Sequence, residues 1–156
     1  MRIRTASLRD YEALCALFDE LDAFHRQARP EMFQPFAKPA RAREQVARWL
    51  SEPGSTILVA ESEEDVVGLA VLLTRAPSGF AGAVPRKVIE IDNLVVRADR
   101  RGRLVGRRLL AAAVEWARQR QATHVEVTVH DFNRDARHFY EGFGFAPSVT
   151  RLVLAA

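Results

Sequence analysis

Cysteine and lysine are nearly missing from this 156-residue chain: Cys15 is the only thiol, and Lys38 and Lys87 are the only lysines. A single cysteine excludes an internal disulfide and leaves no soft partner for a thiolate metal site. Its neighbours Leu14, Leu17, Phe18 and Leu21 mark Cys15 as a buried thiol rather than a nucleophile. The four histidines, His25, His124, His130 and His138, lack metal-ligand spacing, so no metal is expected. No apolar run approaches the ~20 residues of a membrane span, and Met1–Arg4 leads into a strand pattern rather than a signal peptide. Neither G-x-G-x-x-G nor G-x-x-x-x-G-K-[ST] occurs, which excludes the two commonest nucleotide-phosphate loops. What remains is a soluble, cytoplasmic chain forming one domain over residues 1–156, with no membrane partner.

The charge that is present is arginine, and it is local. Net charge is only +3, and the densest basic cluster runs from Arg97 to Arg108. A nucleic-acid binder shows a larger excess along one face, and a recognition helix carries basic residues along its exposed length. Here the arginines crowd one turn, which suits a small polyanion better than nucleic acid.

Periodicity gives the elements. Residues 2–6 alternate as a first strand, and Ser7-x-x-Asp10 forms a capping box ahead of a helix with Tyr11, Leu14, Cys15, Phe18 and Leu21 inward. Residues 24–39 read as irregular, broken by Pro30, Pro35 and Pro39, before a second helix with Val46, Trp49 and Leu50 inward. Thr56–Glu61 and Asp65–Leu73 form a hairpin across an acidic turn. Gly68 inside the second of these strands signals a bulge or a close neighbour. A loop with Pro77, Gly79, Gly82 and Pro85 leads to a fourth strand, Val88–Val96.

A basic turn and an amphipathic helix follow, with Val105, Leu109, Ala113 and Ala117 inward; then come a fifth strand, His124–Val129, and a short helix capped by Asn133. Phe143–Ala146 and Pro147–Leu154 read as a terminal strand pair. Strand, helix, strand across Val88–Val129 is a crossover unit, so the fourth and fifth strands should be parallel. The class is α/β.

Strand, glycine-bearing turn and helix in that order make an anion-binding device. Free N–H groups at a helix N-terminus point outward, and the helix dipole favours negative charge there. The turn Arg101-Gly102-Arg103-Leu104-Val105-Gly106 resembles the [QR]-x-x-G-x-[GA] signature of the GCN5-related N-acetyltransferases, with Leu104 where the family usually has glycine. Asn133-Arg134-Asp135-Ala136-Arg137-His138-Phe139-Tyr140-Glu141-Gly142-Phe143-Gly144-Phe145 resembles that family's N-x-x-A-x-x-F-Y-x-x-x-G-F segment.

The resemblance implies a mixed, mostly antiparallel sheet flanked by helices, with the fourth and fifth strands splayed to admit the pantetheine arm. It implies acetyl coenzyme A as cosubstrate, a small-molecule or peptide amine as acceptor and, by analogy, a homodimer. It assigns Leu94, Val95, Val96, Arg101, Gly102, Arg103, Leu104, Gly106, Arg107 and Asn133 to the coenzyme. A backbone N–H near Leu94 would meet the developing oxyanion.

An alkylamine with pKa ~10.4 is deprotonated at pH 7 at a cost of ~4.6 kcal/mol, so a base matters. Glu90, eleven residues before Arg101, is the candidate. Asp92 lies on the same strand face because side chains alternate, and solvation of both acids at an open lip is the plain alternative. Tyr140 is the candidate acid for the departing thiolate, although its helical spacing also suits a core residue. For Leu104 a right-handed backbone is expected, with the side chain toward the sheet, because leucine avoids the left-handed region. Asp19, Glu20 and Asp22, followed by His25 and Glu31, would together with Glu90 and Asp92 favour a cationic amine over an acidic peptide through their local field. A solvated helix face is the plain alternative. Rival readings are a coenzyme-binding regulator without catalysis, and a nucleic-acid binder.

Overall fold

The computed structural model describes residues 1–102 and 104–156. Five strands, β1 (Arg2–Thr5), β2 (Ser55–Ser62), β3 (Asp65–Thr74), β4 (Val88–Val96) and β5 (His124–Val127), form one sheet in that spatial order. The first three junctions are antiparallel and β4–β5 is parallel. Helices α1 (Tyr11–Ala28) and α2 (Arg43–Ser51) precede β2, α3 (Val105–Gln119) crosses from β4 to β5, and α4 (Arg134–Phe143) follows β5.

The buried lengths of β2 and β3 are almost wholly apolar because both faces of the sheet are covered there. On one face Leu58, Ile89 and Ile91 pack with Leu109, Leu110 and Ala113 of α3. On the other, Ile57, Val59 and Leu69 pack with Leu14 and Phe18 of α1 and Val46 of α2. A Cβ built on Gly68 would lie 2.9 Å from Leu109 Cδ1 and 3.1 Å from the Val95 carbonyl oxygen. The glycine therefore marks where α3 presses on the sheet. A register irregularity also lies between Ala60 and Glu61, next to Gly68's own partner Ala60. Glu63 and Glu64 make the β2–β3 turn with φ of 52° and 68°, the positive values that a two-residue hairpin turn needs.

Three expectations are corrected. The segment expected to be irregular from residue 24 is helical to Ala28, because Phe24 and His25 find aromatic partners that anchor the last turns of α1. The fifth strand stops at Val127 rather than Val129, where β4 leaves it. The terminal strand pair does not form within the chain: residues 145–156 have no regular structure, and residues 146–156 are exposed. At the N-terminus, Ser7 N–H donates to the Asp10 carboxylate (2.8 Å), and Arg4 donates two further bonds to it (2.8 and 2.9 Å). The expected cap thus doubles as a tie between β1 and α1.

Candidate active site

The sheet opens where β4 and β5 part. Their pairing ends at Ile91–Val127, while β4 continues beside β3 to Val96. At the point of parting β4 carries an extra residue, Asp92, since Val71 faces Asn93 and Leu72 faces Ile91. Such a bulge bends and twists a strand, which draws the end of β4 away from β5.

Beyond the bulge, Arg97 N–H donates to the Val67 carbonyl at 2.9 Å. Ladder bonds alternate in an antiparallel pair, so Val95 also turns its backbone toward β3, and Leu94 and Val96 turn theirs into the gap. Of the three strand residues expected at the coenzyme, Leu94 and Val96 thus offer backbone groups to the opening. Val95 does not: its side chain is buried against α1 and α2, and its backbone faces β3.

The N-terminus of α3 adjoins this gap. Val105, Gly106 and Arg107 open the helix, and the first intrahelical bond runs from Arg108 N–H to the Leu104 carbonyl at 3.0 Å. Among the described residues, the three N–H groups before Arg108 have no backbone partner, the arrangement by which a helix N-terminus meets an anion. A Cβ on Gly106 would come within 3.4 Å of Phe139 and 3.6 Å of Val96, so the glycine keeps the wall of the gap low. Arg103 lies outside the described residues.

Leu104 overturns its expectation. Its φ is +62°, in the left-handed region, and its side chain is 67% exposed rather than packed on the sheet. Gly102, at φ +73°, is also left-handed, so the turn has the backbone that glycine adopts freely and leucine adopts under strain. The arginines around it are partly engaged. Arg101 Nε donates to the Val96 carbonyl at 3.1 Å, and Arg97 pairs with Asp99 at 2.7 Å. Arg107 is exposed, with its guanidinium 5.9 Å from the Phe143 ring centre.

Asn133 accepts the Ala136 N–H at 3.1 Å, capping α4. One turn on, Tyr140 is buried, with Phe139 and Phe145 rings at 5.1 and 5.5 Å. Burial pushes its phenol up to about 12, so the group keeps its proton at neutral pH.

On β4, Glu90 accepts a bond from Arg75 at 2.9 Å and stands beside Glu126 of β5 in the parallel register. Asp92 is exposed as a residue, yet its carboxyl accepts from Asn93. Burial, and then the Glu90 charge, push its pKa above the ordinary carboxylate value. The direction fits a carboxyl held against the strand while the rest of the residue meets solvent.

The acidic cluster on α1 is committed to the chain itself. Asp19 pairs with Lys38 at 2.9 Å, Glu20 accepts the Ala98 N–H at 3.0 Å, and Asp22 pairs with Arg41. Arg41 reaches on to the Asn93 side-chain oxygen at 3.1 Å. Neither a free acidic field nor a simply solvated face describes these three residues, since each carboxylate has a partner within the chain.

A feature not foreseen lies beyond the acids. Phe24 and His25 from the end of α1, Phe33 from the following segment, and His130 and Phe132 after β5 form a ring cluster. His25 is 5.3 Å from Phe33 and 5.2 Å from His130 between ring centres, and His130 stacks on Phe132 at 5.5 Å. An open depression of about 440 Å³ borders Phe24, Phe132 and Asn133. Burial, and then His130, push the His25 pKa down. No sequence signal joins these rings, because three distant segments supply them.

The sequence model of the Acetyltransferase (GNAT) family matches residues 18–145, and the chain belongs to that family. An uncharacterized N-acetyltransferase, YhfO, of Bacillus subtilis (strain 168) is 30% identical over 145 residues, covering 93% of this chain and 89% of that protein. The tetramutant of the BH1408 protein from Bacillus halodurans is 25% identical and superposes with a TM-score of 0.93, covering 100% of both chains. An aminoglycoside N-acetyltransferase, AAC(6')-Iy, in complex with CoA shares the fold at 15% identity, with a TM-score of 0.74 over 99% of this chain and 98% of that one. GNAT enzymes use acetyl coenzyme A and acetylate amines. Among the described residues, no helix is long and apolar enough to cross a membrane, and no group of three or more His, Cys, Asp or Glu could hold a metal ion.

Proposed function

We propose that the chain transfers the acetyl group of acetyl coenzyme A directly to a primary amine of a small molecule or peptide. The observation that carries this reading is the parting of β4 from β5 beside the free N-terminus of α3, with Leu94 N–H turned into the opening. The pyrophosphate sits on the N–H groups of Gly106 and Arg107, where charge-assisted bonds are worth ~1.5–3 kcal/mol each. The Leu94 N–H meets the thioester oxygen, a donor already in place as negative charge develops there.

Glu90 and Asp92 form the proton-accepting pair on the strand. Asp92 lies two residues from Leu94, about 7 Å along the strand, and Glu90 about twice as far, so Glu90 acts through water. Tyr140 faces a limit set by its own burial. With its pKa at about 12, full transfer to a thiolate of pKa ~8.5 is uphill by roughly 5 kcal/mol. Its part is therefore a hydrogen bond to the departing sulfur, which takes its proton finally from the solvent-linked acid pair. The aromatic cluster of His25, Phe33, His130 and Phe132 walls the acceptor side.

An amine library assayed with acetyl coenzyme A for thiol release tests the reaction. Gly106→Asp places a carboxylate in the pyrophosphate seat, and calorimetry should show coenzyme affinity reduced at least tenfold. Unchanged affinity in that variant moves the coenzyme elsewhere. Glu90→Gln and Asp92→Asn should each lower turnover mostly below pH 8 and recover as the free amine becomes abundant. Profiles parallel to wild type remove the pair from the mechanism.

A further inference from the structure

Arg41, in the segment between α1 and α2, is held on more sides than a surface ion pair requires. Its carbonyl accepts the Tyr11 hydroxyl at 2.8 Å, its guanidinium lies 4.5 Å from the Phe18 ring centre, and it pairs with Asp22 of α1. These contacts alone would tie the segment to α1. The guanidinium nevertheless directs its second nitrogen to β4, donating to the Asn93 side-chain oxygen at 3.1 Å. Asn93 in turn donates from its amide nitrogen to the Asp92 carboxylate.

Two features give this chain of bonds its direction. A guanidinium only donates, so Arg41 turns the Asn93 oxygen toward itself and leaves the NH2 group for Asp92. Neighbouring residues of a regular strand point to opposite faces. The bulge at Asp92 breaks that alternation, which lets two adjacent side chains of β4 meet. A bond donated to the carboxylate favours its ionised form, and Arg41 stands behind the amide with a full positive charge.

We infer that Arg41 and Asn93 are positioning residues: they hold the Asp92 carboxylate in one orientation, two residues before the Leu94 N–H, and keep it ionised to take the amine proton. The inference rests on the reading of Asp92 as a proton acceptor. Several charges meet near this carboxyl. Burial, and then Glu90 on the same strand, raise its pKa, while Arg41 and then Asn93 lower it. Glu90 is itself paired with Arg75 and stands beside Glu126 of β5. Behind Arg41 lie Asp22 and His25 of α1. Without Arg41 and its amide bridge, burial and Glu90 would act on Asp92 unopposed by either.

Carboxyl-carbon NMR of aspartate-labelled protein, with the Asp92 signal assigned by its loss in Asp92→Asn, follows this titration without any turnover. Arg41→Gln and Asn93→Ala should each move it up by about 1 pH unit, and Arg41→Lys, which keeps the charge, by less. The acid limb of kcat should rise by the same shift, with KM for acetyl coenzyme A unchanged. In an Asp92→Asn background the two substitutions should lower turnover no further, whereas a merely structural tie would lower it equally in both backgrounds. Circular dichroism checks folding, and Asn93→Ala, which leaves the Arg41–Asp22 pair in place, carries the test if Arg41→Gln fails to fold. An Asp92 titration that Asn93→Ala leaves in place overturns the inference, and so does an equal loss of turnover in the Asp92→Asn background. If the titration moves but Asp92→Asn turns over at the wild-type rate, the proton-acceptor reading fails first and takes the positioning role with it.

Discussion

Leu104 is held at φ +62° with its side chain mostly in solvent, so its local cost has no burial to offset it. The left-handed backbone costs a non-glycine residue about 1–2 kcal/mol, while glycine loses roughly 0.5–1 kcal/mol more chain entropy on folding. Leu104→Gly is therefore expected to stabilise the protein by about 0.5–1 kcal/mol, read from the urea midpoint. A clear loss of stability contradicts this account. Tyr140 gives a second test at this scale. Its pKa is raised in the folded state, so the stability it contributes is complete below about pH 10 and lost as pH rises through about 12. The difference is roughly 2–3 kcal/mol. Urea unfolding from pH 8 to 12 should show this loss in wild type and a smaller one in Tyr140→Phe, which should also slow turnover about 10–100-fold with coenzyme affinity unchanged.

Between elements, two contacts decide how the site is framed. At Gly68 the sheet and α3 approach so closely that an added Cβ meets the Val95 backbone at 3.1 Å as well as the Leu109 side chain. Leucine can shift a little but a strand carbonyl cannot, so Gly68→Ala should cost about 1–3 kcal/mol. Because α3 carries the anion-binding N-terminus, displacement of the helix should also weaken coenzyme binding. Tight binding in a destabilised Gly68→Ala would show the two to be independent. The second contact is Asp10, whose carboxyl Arg4 holds below its ordinary value of 3.8. With Asp10 nearly buried, Asp10→Asn should lose about 1–3 kcal/mol at neutral pH, and the difference from wild type should vanish only in strong acid.

For the molecule as a whole, acid should act first through the aromatic wall. His25 has its pKa lowered by burial, then by His130 and Arg41, with Asp22 opposing. A lowered histidine pKa means that the unfolded chain binds the proton more readily. Stability is then full above pH 6.5 and falls as pH drops through the lower folded value. His25→Phe keeps a ring against Phe33 and should flatten the stability profile below pH 6.5, measured by urea midpoint. An unchanged slope would place the acid sensitivity elsewhere.

The alternation and helical spacing of apolar residues determined the order of strands and helices down to β5, because burial on two faces of a sheet writes itself into local pattern. The crossover across Val88–Val129 likewise determined the parallel β4–β5 pair, and Asn133 its own cap, since both depend on neighbours in sequence. The left-handed backbone at Leu104 was not legible, because propensity argues against it and only closure of the turn between β4 and α3 imposes it. Nor was the bulge at Asp92 legible, or the resulting division of labour between Leu94 and Val95, since strand periodicity has no mark for an extra residue. The acids of α1 were legible as acids, but their partners Lys38, Arg41 and the Ala98 N–H come from other elements. The ring cluster of His25, Phe33, His130 and Phe132 was decided by tertiary structure alone. Its members meet because α1 runs on to Ala28 and β5 ends early, and contacts between distant segments leave no trace in local spacing.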